Sequence, residues 1–376
     1  MRYLSAGETH GKGILALLDG FPAGLVVDCA AIDAELRRRQ GGYGRGGRQQ
    51  IEDDHVEFLT GLWQGKTTGA PLTLWVANRD CKIDEMPDLD APRPGHADLS
   101  GALKYEQPIR PVLERASARE TAARVAAGAL CRQLLEMFDI PIVGFVKSIG
   151  PCLLEGDTKG SPEEMVSQRN RSVVYSLLPE RDEEVKRLID RSREEGDTLG
   201  GVIEVHVYGV PVGLGSHVQW DQKLDARLAR AVMSVQAIKA VEFGAGFECA
   251  VKPGSQVHDP VFYDAAKGYY RTQNEAGGIE GGMSNGAPIT LRAAMKPIPT
   301  LKKPLASVNL RTHLPQDAAF ERSDVCAVPA ASVVLENAVA VEIADAFLQR
   351  YGCDSITQIR RNQSSTASMA DSRAKP

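Results

Sequence analysis

Two histidines of this chain stand in glycine-punctuated polar loops: His10 in Gly7-Glu8-Thr9-His10-Gly11, and His96 in Arg93-Pro94-Gly95-His96-Ala97-Asp98. An imidazole in such a loop can pass a proton near neutral pH; the alternative is a purely structural loop residue. His55, His206, His217, His258 and His313 lie among strand-like or charged residues and read as surface or satisfied positions. No pair has His-x-x-x-His spacing and no carboxylate cluster accompanies them, so no metal site is expected.

Arginine carries a stronger signal. The stretch Arg37 to Arg48 holds five guanidinia in twelve residues, with glycines between them. Glycine lets backbone approach a ligand, and arginine grips phosphate or carboxylate bidentately. A flexible RNA-binding loop is the competing reading, weakened by the helical pattern of Asp33–Arg39 beside it. A second cluster, Arg115-Ala116-Ser117-Ala118-Arg119-Glu120-Thr121, opens a helix and could seat a phosphate. The third region runs from Asn274 to Gly286, with five glycines in ten positions, and leads to Lys296-Pro297-Ile298-Pro299-Thr300 and Glu321-Arg322-Ser323-Asp324. It matches neither a dinucleotide fingerprint nor a Walker loop. From the residues alone, the chemistry is that of an enzyme handling a polyanionic small molecule, with a phosphate-bearing cofactor as an open possibility.

Composition narrows the rest. At 376 residues, 43% hydrophobic and 25% charged, the chain reads as an ordinary globular protein. No run of 18 apolar residues and no signal h-region is seen, so neither a membrane span nor secretion is expected. Seven cysteines, odd in number and never Cys-x-x-Cys, fit free thiols in a reducing cytoplasm. A net charge of −5 argues against general nucleic-acid binding.

The elements that must position these residues are organised by a repeat. Gly7, Thr9, Gly11, Ile14, Gly20, Pro22, Gly24 and Leu25 recur 189 positions later as Gly196, Thr198, Gly200, Ile203, Gly209, Pro211, Gly213 and Leu214. Those eight identities in nineteen positions compare with about one or two expected from composition. A weaker echo relates Gly69-Ala70-Pro71-Leu72-Thr73-Leu74 to Gly286-Ala287-Pro288-Ile289-Thr290-Leu291, at an offset of 217. The expectation is one domain over 1–376 with related halves at about 7–150 and 196–350, a charged helical insertion at about 155–195, and a frayed tail over 360–376. Residues 13–19 and 25–28 read as a strand pair, and 201–208 as an alternating strand. Helices are expected at 118–138, with a Ser117/Glu120 capping box, and at 179–195, 222–241 and 329–351.

From Arg2 to about Leu348 the chain resembles the chorismate synthase family. The resemblance rests on the motifs above in order, with Trp220-Asp221-Gln222-Lys223-Leu224-Asp225-Ala226-Arg227 and Val241-Glu242-Phe243-Gly244 between them. Thr9 and Ala116 stand where that family usually has serine. The resemblance implies an α+β fold, a β-α-β-α sandwich with an internal pseudo-two-fold repeat, assembled as a homotetramer. It implies a cytoplasmic lyase of the shikimate pathway, which eliminates phosphate from 5-enolpyruvylshikimate 3-phosphate to give chorismate and requires reduced FMN. By the same resemblance His10 protonates the departing phosphate, His96 protonates flavin near N1, and Asp324 helps deprotonate N5. Arg39, Arg45, Arg48, Arg93 and Arg119 match substrate-binding arginines. Arg39 and Arg45 are also associated with NADPH where a member reduces its own flavin. FMN contacts match Arg115, Ala116, Ser117, Gln236, Ala237, Gly281, Lys296, Pro297, Ile298, Pro299, Thr300 and Arg322. A flavin-dependent oxidoreductase acting on a polyanionic small molecule is the alternative, distinguished by stoichiometric NADPH use.

Overall fold

A computed structural model describes residues 1–47, 51–265, 268–321 and 323–373, with the side chains of 367–373 outside that set. Arg48 and Arg322, both expected to bind ligand, lie outside the described residues. The first part of the chain forms β1 (Arg2–Gly7), β2 (Gly13–Asp19), α1 (Cys29–Gln40), β3 (Val56–Thr60), the hairpin β4–β5 (Leu62–Trp63, Lys66–Thr67) and β6 (Leu72–Ala77). Helices α2 (Asp98–Tyr105), α3 (Ile109–Ala116) and α4 (Thr121–Glu136) follow, then β7 (Ile142–Ile149), β8 (Cys152–Leu153), α5 (Pro162–Arg171) and α6 (Asp182–Glu194). Next come β9 (Gly201–Val207), α7 (Leu224–Met233), β10 (Ile238–Phe243) and α8 (Gly254–Val257). Two hairpins, β11–β12 (Val261–Asp264, Gly268–Arg271) and β13–β14 (Ile279–Glu280, Met283–Ser284), precede β15 (Ile289–Met295). The chain closes with the hairpin β16–β17 (Ala306–Val308, Pro315–Asp317), α9 (Val328–Tyr351) and α10 (Ile356–Arg373).

One antiparallel sheet has the order β1-β2-β6-β3 and the other β10-β15-β9-β7-β8. Apart from β8 the two orders are the same, read from β1 and from β7. Their registers agree as well. Ile14 pairs with Val76 and Leu18 with Leu72, while Ile203 pairs with Ala293 and Val207 with Ile289; the offsets of 189 and 217 carry one set onto the other. Edge strands β3 and β10 bear the same triplet, Val56-Glu57-Phe58 and Val241-Glu242-Phe243, and Phe58 and Phe243 face the equivalent Leu74 and Leu291. The turns obey the same relation. Thr67 Oγ1 donates to Pro22 O and accepts from Leu25 N, and Ser284 Oγ does the same for Pro211 O and Leu214 N.

The helices fill the space between the sheets. Alanine-rich α4 packs on the first sheet and against α9, which packs on β7 and β9 of the second. At Gly128 the two helices meet so tightly that an added Cβ would come within 2.4 Å of Asn337 Cβ and O. Ile203, Val205 and Val207 of β9 join the central core, whereas Val143 and Phe145 of β7 pack outward with Met165 of α5 and Leu177. The layers are therefore sheet, helices, sheet and an outer helix, the β-α-β-α arrangement.

Several local expectations are corrected. Residues 25–28 form no strand beside β2: Thr67 occupies the backbone of Leu25, Val26 makes one isolated bridge to Lys66, and Asp28 caps α1 at Ala31 N. Residues 222–241 split into α7 and β10, because Ala237 takes a left-handed φ of 66° and ends any continuous helix. The capping box is absent: Ser117 Oγ accepts only a long bond from Arg119 N, and Glu120 turns instead to Ser5 and Arg124. Residues 142–149, assigned by sequence to the first half, pair with β9 in the second sheet. Beyond α9, helix α10 is anchored by buried Ile356 and Ile359.

Candidate active site

A cavity of about 630 Å³ opens where loops of both halves meet, within the range of roughly 300–1,000 Å³ typical of small-ligand sites. Thr9 and His10 come from the loop after β1, Arg39 from the last turn of α1, and Arg45 and Gly46 from the loop beyond. Asp80 and Lys82 follow β6, and Arg93, Gly95 and His96 precede α2. The opposite wall is Gln236–Ala237, Met295, Lys296, Ile298–Thr300 and Asp324, with Ala330, Ala331 and Val334 of α9. Six cationic side chains face four carboxylates around it, a local positive excess in an acidic chain.

Each arginine is held by an acid, buried at Asp54 and Asp98 and part-buried at Asp324. Asp54 takes Arg39 Nη2 and Arg119 Nη1, both at 2.7 Å. Burial alone would raise the Asp54 carboxyl, but the two guanidinia outweigh it and lower the pKa. Asn78 accepts from Arg119 Nε at 2.7 Å and donates to the carbonyls of Glu8, Thr9 and Gly11, tying the arginine to the histidine loop. Arg93 holds Asp98 through Nε (2.8 Å) and Nη2 (3.0 Å), and donates from Nη1 to Thr300 Oγ1 at 2.9 Å. Arg45 bonds Asp324, which also accepts from Gly46 N at 2.7 Å. The Nε atoms of Arg39 and Arg45, and Oε1 of Gln236, are buried without a hydrogen-bond partner among the described residues.

The two histidines are arranged alike. His10 Nδ1 lies 2.8 Å from Glu114 Oε1, and Nε2 lies 3.8 Å from Asp80 Oδ2. His96 Nδ1 donates to Asp98, whose carboxyl burial would raise but His96 and Arg93 hold far below the ordinary range. Lys296 Nζ donates to Gly95 O and so joins the second-half wall to the His96 loop.

The cavity thus brings together His10, His96, Asp324, Arg39, Arg45, Arg93, Arg119, Ala116, Ser117, Gln236, Ala237, Lys296, Ile298, Pro299 and Thr300. Pro297 does not line it. Arg115 turns away to the carbonyls of Gly7 and Ser5. Gly281 sits outside the cavity at the left-handed turn of β13–β14, where Gln64 takes the same conformation in β4–β5. Glu114, Asp54, Asn78 and Asp80 were not singled out from sequence. Asp98 closes the quoted His96 motif and Glu114 adjoins the Arg115 motif, but nothing local marks Asp54, Asn78 or Asp80. Among the described residues, no group of His, Cys, Asp and Glu could hold a metal and no helix is long and apolar enough to cross a membrane.

Comparison with known proteins completes the description. A family model described as "Chorismate synthase" matches residues 1–348. The chain is 55% identical over 382 aligned positions to the chorismate synthase of Pelobacter propionicus, covering 96% of this chain and 97% of that protein. It is 54% identical to that of Desulforamulus reducens, with 96% of each covered. A solved structure described as "Crystal Structure of Chorismate Synthase" aligns with a TM-score of 0.80 at 43% identity, covering 97% of this chain and 96% of that one.

Proposed function

The chain belongs to the chorismate synthase family, and we propose how its cavity carries out that lyase reaction, the anti 1,4-elimination of phosphate from 5-enolpyruvylshikimate 3-phosphate to give chorismate. The observation that carries the reading is the pairing of clamped arginines with two carboxylate-held histidines in one cavity. A substrate with two carboxylates and a phosphate needs several fixed guanidinia, and Arg39, Arg45, Arg93 and Arg119 supply them. Arg48 belongs to the same assignment by its motif. Because the acids already fix each fork, little order is lost when the substrate takes the remaining donors.

The residues fit a reduced flavin as well. Ala116, Ser117, Gln236, Ala237, Lys296 and Ile298–Thr300 give a wall with apolar patches and spaced polar atoms, including the unpartnered Gln236 Oε1. These residues would hold reduced FMN, which when bound would supply electron-rich, hydrogen-accepting ring chemistry. Arg322, Pro297, Arg115 and Gly281 are assigned to it by motif alone, and Arg39 and Arg45 to NADPH in the same way. His10 delivers a proton to the phosphate oxygen as the carbon–oxygen bond breaks, neutralising the charge that builds on the leaving group. His96, held by Asp98, would keep a proton for flavin N1, and Asp324 would accept one from N5. Homotetramer assembly is supported by the β11–β12 hairpin, which exposes Phe262 on one face and Tyr263 and Tyr269 on the other. Seven free cysteines support a reducing cytoplasmic setting.

An anaerobic assay with the phosphorylated substrate and pre-reduced FMN tests the reading. Chorismate and phosphate are expected in equal amounts, over many turnovers per flavin and without added NADPH. Stoichiometric NADPH consumption would favour a net oxidoreductase instead.

A further inference from the structure

We propose that Glu114 is a positioning residue for His10, fixing the imidazole so that Nδ1 carries a permanent hydrogen and Nε2 alone exchanges a proton with the cavity. The inference rests on the role given to His10 above.

Glu114, in the last turn of α3, is buried, with its side chain 1% exposed. Its two oxygens meet two donors of one residue: Oε2 accepts from His10 N and Oε1 from His10 Nδ1, both at 2.8 Å. Its main-chain carbonyl meanwhile accepts from Thr9 N and Thr9 Oγ1, both at 2.9 Å. One residue therefore holds the whole Thr9–His10 pair. Burial would push the Glu114 carboxyl up, but the hydrogen bonds from His10 and the charge of nearby Arg110 outweigh it and lower the pKa. An ionised carboxylate only accepts, so Nδ1 must be the donor. Nε2 is left on the cavity side, 3.8 Å from Asp80, whose other oxygen is paired with Lys82 at 2.9 Å.

The stereochemistry makes the claim sharp. A backbone N–H cannot become an acceptor, and a glutamine has one acceptor oxygen where glutamate has two. Because the backbone amide can only donate while the imidazole can change tautomer, Glu114→Gln keeps its oxygen on His10 N and turns its NH2 toward Nδ1, which drives the neutral imidazole to the other tautomer, with its hydrogen on Nε2. Glu114→Asp keeps both acceptor oxygens on a shorter arm and should keep the Nδ1–H tautomer.

The test uses flavin-loaded enzyme with nitrogen-15-labelled histidine, the His10 signals being those absent from His10→Asn. The wild type and Glu114→Asp are expected to show Nδ1 protonated throughout, and Glu114→Gln the Nε2–H form. Single-turnover phosphate release should fall about 10- to 100-fold in Glu114→Gln, as for partners that orient an active group, with substrate KM changed less than about twofold. In the His10→Asn background the same change should cost nothing further, because it acts through the imidazole. An unchanged tautomer in Glu114→Gln, an Nε2–H form in Glu114→Asp, or an equal loss in the His10→Asn background would each overturn the proposal. Full turnover by His10→Asn would separately remove His10 as the acid, while the nitrogen signals would still decide whether Glu114 sets the tautomer.

Discussion

The arginines that face the cavity are not bare cations. A buried guanidinium without a counterion is costly, so each is seated on a carboxylate that also aims it. Arg45 is the simplest to interrogate, since it stands in a glycine-rich loop and shares Asp324 with the Gly46 amide. Arg45→Ala should lose a charge-assisted contact of about 1.5–3 kcal/mol, seen as a rise of roughly 10- to 100-fold in substrate KM, with little change in Tm. An unchanged KM, or a Tm lowered as far as by a core truncation, would show that the loop is no anion grip. Asp98 makes a pH statement. Its folded pKa lies far below the value of about 3.9 of an unfolded aspartate. The stabilisation is therefore complete above about pH 4–5 and drains away as acid approaches the folded value. Urea unfolding from pH 7 to pH 3 should show wild-type stability falling with acid. Asp98→Asn should start up to about 3–5 kcal/mol lower and lose less over the same range. A variant as acid-sensitive as the wild type would place the sensitive group elsewhere.

At the scale of elements, the α4–α9 crossing sets how closely the halves approach. Gly128→Ala would drive a methyl group into the Asn337 backbone, so a loss of about 1–3 kcal/mol or more in unfolding free energy is expected; wild-type stability would mean the helices can slide apart freely. Helices with long apolar stripes, α4 and α9 above all, were legible because burial stamps a 3.6-residue period on the sequence. The stripe of 222–241 misled for the same reason: Val235 and Ile238 keep the spacing across a turn that Ala237 makes by going left-handed. That turn, invisible to periodicity, is what carries Gln236 to the cavity wall. The histidines and arginines were legible because their types and glycine neighbours are local. Glu114 and Asp54, which hold His10, Arg39 and Arg119, were not, for Glu114 reaches His10 across 104 positions and Asp54 reaches Arg119 across 65, and only the fold makes such pairs.

On the scale of the molecule, two copies of one supersecondary plan have divided the labour. Leu199 stands where the first half has His10, and its amide donates to Val325 O, pinning the segment beside Asp324. Thr198 Oγ1 donates to Ile298 O at 2.8 Å, just as Thr9 Oγ1 donates to Glu114 O. The loop to which the proposed function gives the acid in one copy thus steadies a wall in the other. A cavity walled by residues from Thr9 to Val334 has a history in time as well as a shape. Each sheet closes mainly over contacts within its own half, but the cavity exists only once α4 and α9 have docked. A chain leaving the unfolded state therefore has no cavity until its halves are joined. A ligand that touches both walls recognises the docked form alone. It adds RT ln(1 + [L]/Kd) to the stability of that form, so any such ligand acts as the final clasp between the two halves.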